Sequence, residues 1–340
     1  MQGIESAAKQ PRLPTMTGPR TDELSLPDAW AQRFTLGDWN TRASVRTSEH
    51  TYQLPSDLER QLETRHWFPP AFLPYLNHPK IKAAGSAITH RLSANHLVYF
   101  LDYTTRLEHR IVNRSVETIV HDELGASIPR RMKAAALQLY TDEGFHALFS
   151  NSLAEQIADL YGMTQRPVMP HRITRLNALL DHAPDRHKAL AWFLVGFVSE
   201  TIIARELLEV CRNELVSSVQ EMLRDHLTDE ARHSRYFCEV FHYLWLTLNS
   251  SQRTFAAKLL VDILLIFFEV DERWLKESLN SVGFRENCIA EILSALTGPQ
   301  ACLQRARSGA GATLQAMEKA GFFDLPFNQQ LFAQAGLVDE

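Results

Sequence analysis

Apolar residues recur at helical spacing through most of the chain. Between residue 81 and about 122, Leu97, Phe100, Leu101, Thr104, Leu107, Ile111, Val112, Val116 and Ile119 follow one another at short helical intervals, and neither Pro nor any Gly after Gly85 interrupts them. That spacing predicts one long helix or two in line. Gly125-Ala-Ser-Ile-Pro129 reads as a turn and helix start, with Ser127 as N-cap and Pro129 in the first turn of a helix running to about Leu160. Further helices are predicted over 173–181 and 187–211, and over a segment capped by Asn213 or Ser217 that continues to about Leu248. After a turn at Asn249-Ser-Ser-Gln252, an apolar helix to about Leu279 is closed by Gly283, helices follow over 286–296 and about 300–320, and Phe322 starts an irregular tail. On the N-terminal side, residues 56–66 suit a short charged helix ahead of Pro69, Pro70, Pro74 and Pro79. Residues 1–27, polar and broken by Pro11, Pro14, Pro19 and Pro27, have no periodic face and read as a flexible arm, leaving 28–340 as a single helical domain.

Composition narrows this reading. The 340 residues are 45% hydrophobic and 22% charged, enough to bury a large core, and only 14 are Gly, which favours long helices over turn-rich sheet. A net charge of −5 supplies no basic footprint, so no nucleic-acid partner is expected. Cys211, Cys238, Cys288 and Cys302 are widely spaced without Cys-x-x-Cys, and no signal peptide is evident, which points to reduced thiols in the cytoplasm. The most apolar run, 259–270, is too short to span a bilayer and carries Asp262 and Glu269, so it reads as a core helix and no membrane association is expected.

The chemistry is concentrated in His226-Leu-Thr-Asp-Glu230-Ala-Arg-His233. At about 100° per residue, His226, Glu230 and His233 fall within roughly 60° of one another on one helical stripe. Asp142-Glu143-Gly-Phe-His146 repeats the Asp-Glu-x-x-His core of that stretch. Two such helices call for two more carboxylates on neighbouring helices. Glu108 lies among apolar neighbours, whereas Glu117, about 180° around the helix, cannot share its site. Glu200 is the only charge between Ala191 and Ala204, where an unpaired carboxylate costs several kcal/mol. Each candidate has a plainer alternative: Glu108 solvated beside His109 and Arg110, Glu200 paired with Arg205, His226 a hydrogen-bonded core histidine. The order Glu, Glu-x-x-His, Glu, Glu-x-x-His is that of ferritin-like dinuclear carboxylate bundles. The expected fold is therefore all-α, a ferritin-like bundle with its metal-ligand core over about 97–248 and extra peripheral helices. Carboxylates with imidazoles suit iron or manganese rather than magnesium or calcium, and iron is the expected metal because nothing else in the chain does redox chemistry. Asp142 and Asp229, each four residues before a His of the pattern, are placed to accept the second ring N–H of His146 or His233.

The stretches Leu107-Glu108-His-Arg-Ile-Val-Asn113, Asp142-Glu143-Gly-Phe-His146, Val198-Ser-Glu200-Thr201 and 226–233 together resemble the di-iron N-oxygenases. The resemblance covers roughly residues 97–241, and its most specific element is the additional His226, which plain ferritin-like sites lack. It implies a ligand set of Glu108, Glu143, His146, Glu200, His226, Glu230 and His233 around two Fe ions, with Glu143 and Glu230 bridging. It also implies a monooxygenase that uses O2 to oxidise a small-molecule amine to hydroxylamine, nitroso or nitro product, in natural-product or antibiotic biosynthesis. No Gly-x-Gly-x-x-Gly or Cys cluster is present, so electrons would come from an external reductase or ferredoxin, or from peroxide. Phe100, Tyr103, Phe145, Phe149, Phe197 and Ile203 are candidate pocket walls. A homodimer is compatible with the long apolar helices. The rival readings are a carbon hydroxylase, a desaturase, a ribonucleotide reductase small subunit, for which Tyr103 or Tyr236 near the site would matter, and a non-catalytic iron store.

Overall fold

The periodic stripes become helices almost one for one. The computed structural model describes residues 33–49, 51–164, 166 and 169–339; the arm expected over 1–27 lies outside them. In chain order the helices are α1 Trp39–Arg42, α2 Ser44–Thr47, α3 Leu58–Gln61, α4 Pro79–Ala83, α5 Ser86–Leu107, α6 Asn113–Val120, α7 Arg130–Leu160 and α8 His171–Asp181. They continue with α9 Lys188–Val210, α10 Ser217–Thr247, α11 Ser250–Phe267, α12 Glu272–Ser281, α13 Glu286–Leu296, α14 Pro299–Gly309, α15 Gly311–Lys319 and α16 Pro326–Gln334. Among the described residues there is no strand, only an isolated parallel bridge between His66 and Leu215. The fold is all-α, a ferritin-like helical bundle.

Four rods make its centre. The first is α5, a π turn over Glu108–Val112, and α6, joined with helical backbone angles at both junctions. It is the long helix predicted over 81–122, with an extra residue inserted in the α repeat where Glu108 stands. This rod packs along α7, α9 packs along α10, and α6 touches both α7 and α9. Every residue of α9 from 193 to 203 is buried, which explains why its sequence lacks a polar face. A Cβ on Gly196 would stand 2.2 Å from Ser115 Oγ and 2.5 Å from Ser115 Cβ. Glycine there lets α6 and α9 close together one turn before Glu200.

Helix ends depart from expectation where tertiary contacts take over. Ser127 caps nothing: α7 starts after Pro129 without a side-chain cap, and the Ser127 carbonyl accepts the Tyr243 hydroxyl at 2.6 Å. Neither Asn213 nor Ser217 caps α10, which follows Val216; the Asn213 amide instead donates to the Glu209 carbonyl at the end of α9, 2.9 Å away. The apolar helix predicted to reach Leu279 is two helices, because Asp271 accepts the Trp274 N–H at 3.0 Å and starts α12 anew. The predicted tail is partly helical, since Phe322 and Phe332 are buried with ring centroids 5.4 Å apart, the former against Trp245. Among the described residues no helix is long and apolar enough to cross a membrane.

Candidate metal centre

Seven side chains converge between the four rods. Glu108 comes from the π turn, Glu143 and His146 from α7, Glu200 from α9, and His226, Glu230 and His233 from α10; all are essentially fully buried. Two groups have ligand atoms within 4.8 Å of one another: Glu108, His146, His226 and Glu230, and Glu143, His146, Glu230 and His233. His226 Nε2 is 2.8 Å from Glu108 Oε1 and 3.4 Å from Glu230 Oε1. His233 Nδ1 is 2.9 Å from Glu143 Oε1, 3.2 Å from Glu230 Oε1 and 3.8 Å from Glu200 Oε2. His146 Nδ1 lies 3.3 Å from Glu230, 3.7 Å from Glu143 and 3.9 Å from Glu108. Glu230 thus touches both halves, and Glu143 approaches both His146 and His233.

Both oxygens of Glu108, Glu143 and Glu200, Oε2 of Glu230, Nδ1 of His146 and both ring nitrogens of His226 are buried without a geometrically sound hydrogen bond. Such groups cost a few kcal/mol each unless something else satisfies them. Two divalent cations would do so. Four ionised glutamates balance two doubly positive ions, and mixed carboxylate and imidazole donors suit iron or manganese.

The electrostatics of the protein alone point the same way. Burial pushes Glu108 up to about 7 against the pull of His226, and burial with the charges of Glu230 and Glu143 holds Glu200 well above the carboxylate range. Burial acts on Glu230 too, but the charge of His233 and the close approach of the His146, His226 and His233 rings overcome it and hold the carboxyl well below its usual value. His146 and His233 lie well above the usual imidazole range: burial opposes their protonation, but their carboxylate neighbours outweigh it.

The aspartates bind across the bundle. His146 Nε2 is 3.1 Å from Asp229 Oδ2 of α10, and His233 Nε2 is 3.0 Å from Asp142 Oδ2 of α7. Neither aspartate serves the histidine four residues along its own helix. Donation of each Nε2–H to its aspartate directs both Nδ1 atoms toward the glutamates. Behind the aspartates lies a strap made of α1 and α2. Trp39 Nε1–H donates to both oxygens of Asp142 at 2.8 Å, and the Ser44 N–H donates to Asp229 Oδ2 at 3.0 Å. Arg232 pairs with Asp229 and also donates to the Arg42 carbonyl. His146, by its hydrogen bond, helps hold Asp229 at about 2, against the effect of burial. Trp39, Ser44 and Arg232 are absent from the sequence-based candidates. Only Arg232, three residues after Asp229, carried a local signal.

The other candidates divide. Phe149 lies with its ring centroid 5.3 Å from His146 and 5.5 Å from His226, and Phe145 packs on it at 5.6 Å. Phe197 stacks on Phe241 at 4.3 Å, Phe100 packs on Phe68, and Ile203 belongs to the apolar core. Tyr236 donates to the Met132 carbonyl at 2.7 Å and is so engaged. Tyr103 is buried beneath the Arg172 guanidinium, 4.8 Å from its ring. Glu117 pairs with Arg114 outside the cluster, and Arg205 is exposed whereas Glu200 is buried.

A family model described as P-aminobenzoate N-oxygenase matches residues 39–321, from the strap to the end of α15. The chain is also 24% identical over 328 residues, 94% of its own length and 96% of the relative's, to a 4-aminobenzoate N-oxygenase of Streptomyces thioluteus.

Proposed function

Since the chain belongs to the p-aminobenzoate N-oxygenase family, we propose that it is a di-iron monooxygenase that transfers one atom of O2 to the nitrogen of a small-molecule amine. The observation that carries this reading is the buried ring of four glutamates and three histidines, with His226 added to the two Glu-x-x-His pairs. In it, Glu108, His146 and His226 would hold one iron and Glu200 and His233 the other, with Glu143 and Glu230 within reach of both groups. The relative's substrate, 4-aminobenzoate, makes an arylamine the first compound to test. Work in natural-product biosynthesis and in the cytoplasm fits this chemistry and the four free cysteines.

When bound, the irons supply the two-electron activation of O2. Conversion of the amine to its hydroxylamine consumes one O2, two electrons and two protons and releases one water; further oxidation leads to nitroso and nitro products. The electrons come from an external reductase or ferredoxin, or oxygen and electrons arrive together as peroxide. The chain's own residues prepare the site. Asp142 and Asp229 fix the tautomers of His233 and His146. The sealed packing around Glu200 and Glu230 excludes water, and Phe149 forms an apolar wall against His146 and His226.

The test is turnover of an amine panel by Fe(II)-loaded protein with reductant under 18O2. We expect 18O on nitrogen in at least an arylamine product. A protein that holds two irons and attacks no amine would overturn the activity while leaving the metal site standing.

A further inference from the structure

All seven clustered side chains are essentially fully buried, so a protein that delivers electrons to their site cannot touch them and must act through the groups bonded behind. Among the described residues, two hydrogen-bonded paths lead outward from the histidines. One runs from His146 through Asp229 to the Ser44 N–H and the Arg232 guanidinium. The other runs from His233 through Asp142 to Trp39: 3.0 Å from His233 Nε2 to Asp142 Oδ2, then 2.8 Å from each Asp142 oxygen to the indole Nε1. Only the second ends in a π system, and Trp39 is partly exposed on the strap. Its surroundings are basic. The Arg46 guanidinium stands 6.0 Å from the indole centroid, Arg235 donates to the Thr35 carbonyl at 3.3 Å, and Arg42, one turn after Trp39, is exposed. Asp38, paired with Arg42 at 2.9 Å, is the only acid between residues 35 and 48. On a chain of net charge −5 this is a locally positive surface.

We infer that Trp39 is the point where electrons enter, and that the arginines around it dock an acidic one-electron carrier of the iron–sulfur ferredoxin class. The inference rests on the di-iron reading above and names the partner which that reading leaves open. Two reduced carriers, docking in turn, give up one electron each through Trp39, Asp142 and His233. Each carrier's cluster is oxidised, two ferric ions become ferrous, no bond is made or broken, and no proton crosses the path. The indole carries its π orbitals to the surface, and two short hydrogen bonds replace the through-space gap that a buried centre otherwise imposes. Opposite charge steers such an encounter and makes it sensitive to salt. Electron-transfer contacts are small and weak, which suits a patch of a few arginines around one ring. A carrier with acidic residues at its cluster-bearing edge complements Arg42, Arg46 and Arg235, whereas a basic carrier is repelled.

Anaerobic stopped-flow reduction of the iron-loaded, oxidised protein tests this, followed at its near-ultraviolet iron absorbance. One arm uses a reduced plant-type ferredoxin; the other uses dithionite, a small reductant that needs no docking. The wild type should be reduced by ferredoxin at a rate that falls steeply with added salt. In Trp39→Phe the ratio of the ferredoxin rate to the dithionite rate should drop at least about tenfold, whereas a purely structural role would slow both reductants together. Arg46→Glu/Arg235→Glu leaves the bond from Trp39 to Asp142 in place. It should lower the same ratio at least about tenfold and weaken calorimetric binding of ferredoxin to the metal-free protein. Equal ratios in the wild type and Trp39→Phe would overturn the route, and ferredoxin binding indifferent to salt and to the arginines would overturn the docking surface. If Trp39→Phe holds too little iron to be read, the arginine variant decides. The readout is iron reduction, so a protein inert toward amines leaves the test intact; a protein that takes up no iron pair overturns the di-iron reading and this route with it.

Discussion

Asp142 and Asp229 each reach to the other ligand helix, so one carboxylate ties α7 and α10 together while it orients a histidine. Trp39 holds the first of them with a single N–H shared between both oxygens. Trp39→Phe keeps the ring and removes the donor, which should free Asp142 to turn and loosen His233. The expected result is metal affinity reduced by about 10–100-fold, measured by competition with a chelator; unchanged affinity would show that Trp39 only packs. Glu143→Ala should empty the site, and His226→Ala should retain part of the metal, both read by elemental analysis. Full metal content in the Glu143 variant would contradict its placement between the two histidines. The seven converging residues and both aspartates were legible because Glu-x-x-His repeats and isolated acids in apolar runs are local signals. Trp39 and Ser44 were not, because they meet their aspartates across 103 and 185 residues of chain and nothing in their own neighbourhood marks them.

The four rods are set by two local devices. The π turn at Glu108–Val112 offsets α6 from α5 and puts Glu108 on the face that meets His226; hydrophobic spacing predicts the rod but not the inserted residue. Gly196 sets the separation of α6 and α9. In Gly196→Ala the new methyl must displace Ser115, which moves α9 and with it Glu200 one turn on. Overpacking of this kind costs about 1–3 kcal/mol, so thermal unfolding should shift down and metal content should fall together; unchanged unfolding would mean the contact relaxes freely. Periodicity predicted the helices themselves, while Ser127, Asn213 and Ser217 misled as caps. Sequence reports a capping residue's capacity, whereas the fold decides which backbone groups still need a partner. The helix α16 was missed for a related reason: its Phe332 is buried against Phe322, which in turn packs on Trp245, a contact outside the segment.

For the molecule as a whole, acid stability should carry the mark of His96, away from the metal cluster. Burial, with the positive Arg172 nearby, lowers its pKa to about 3. The folded state therefore binds fewer protons than the unfolded state, whose histidine titrates near 6.5. Its contribution is fully present above about pH 6.5, declines as pH falls toward 3, and then stays level. The loss is at most about 1.4 kcal/mol per pH unit, an upper bound because His96 retains some solvent contact. Chemical denaturation at pH 7 and pH 4 should show a smaller difference for His96→Leu than for the wild type; equal differences would remove His96 from the acid response. A bound metal would act on the bundle's centre in the opposite sense, because cations would satisfy its buried carboxylate oxygens and so favour the folded state. The most direct measurement is iron per chain in the reconstituted protein, by elemental analysis with Mössbauer spectroscopy. A dinuclear centre on these residues predicts two irons per chain as a coupled pair. Fewer than one iron, or isolated single irons, would contradict it.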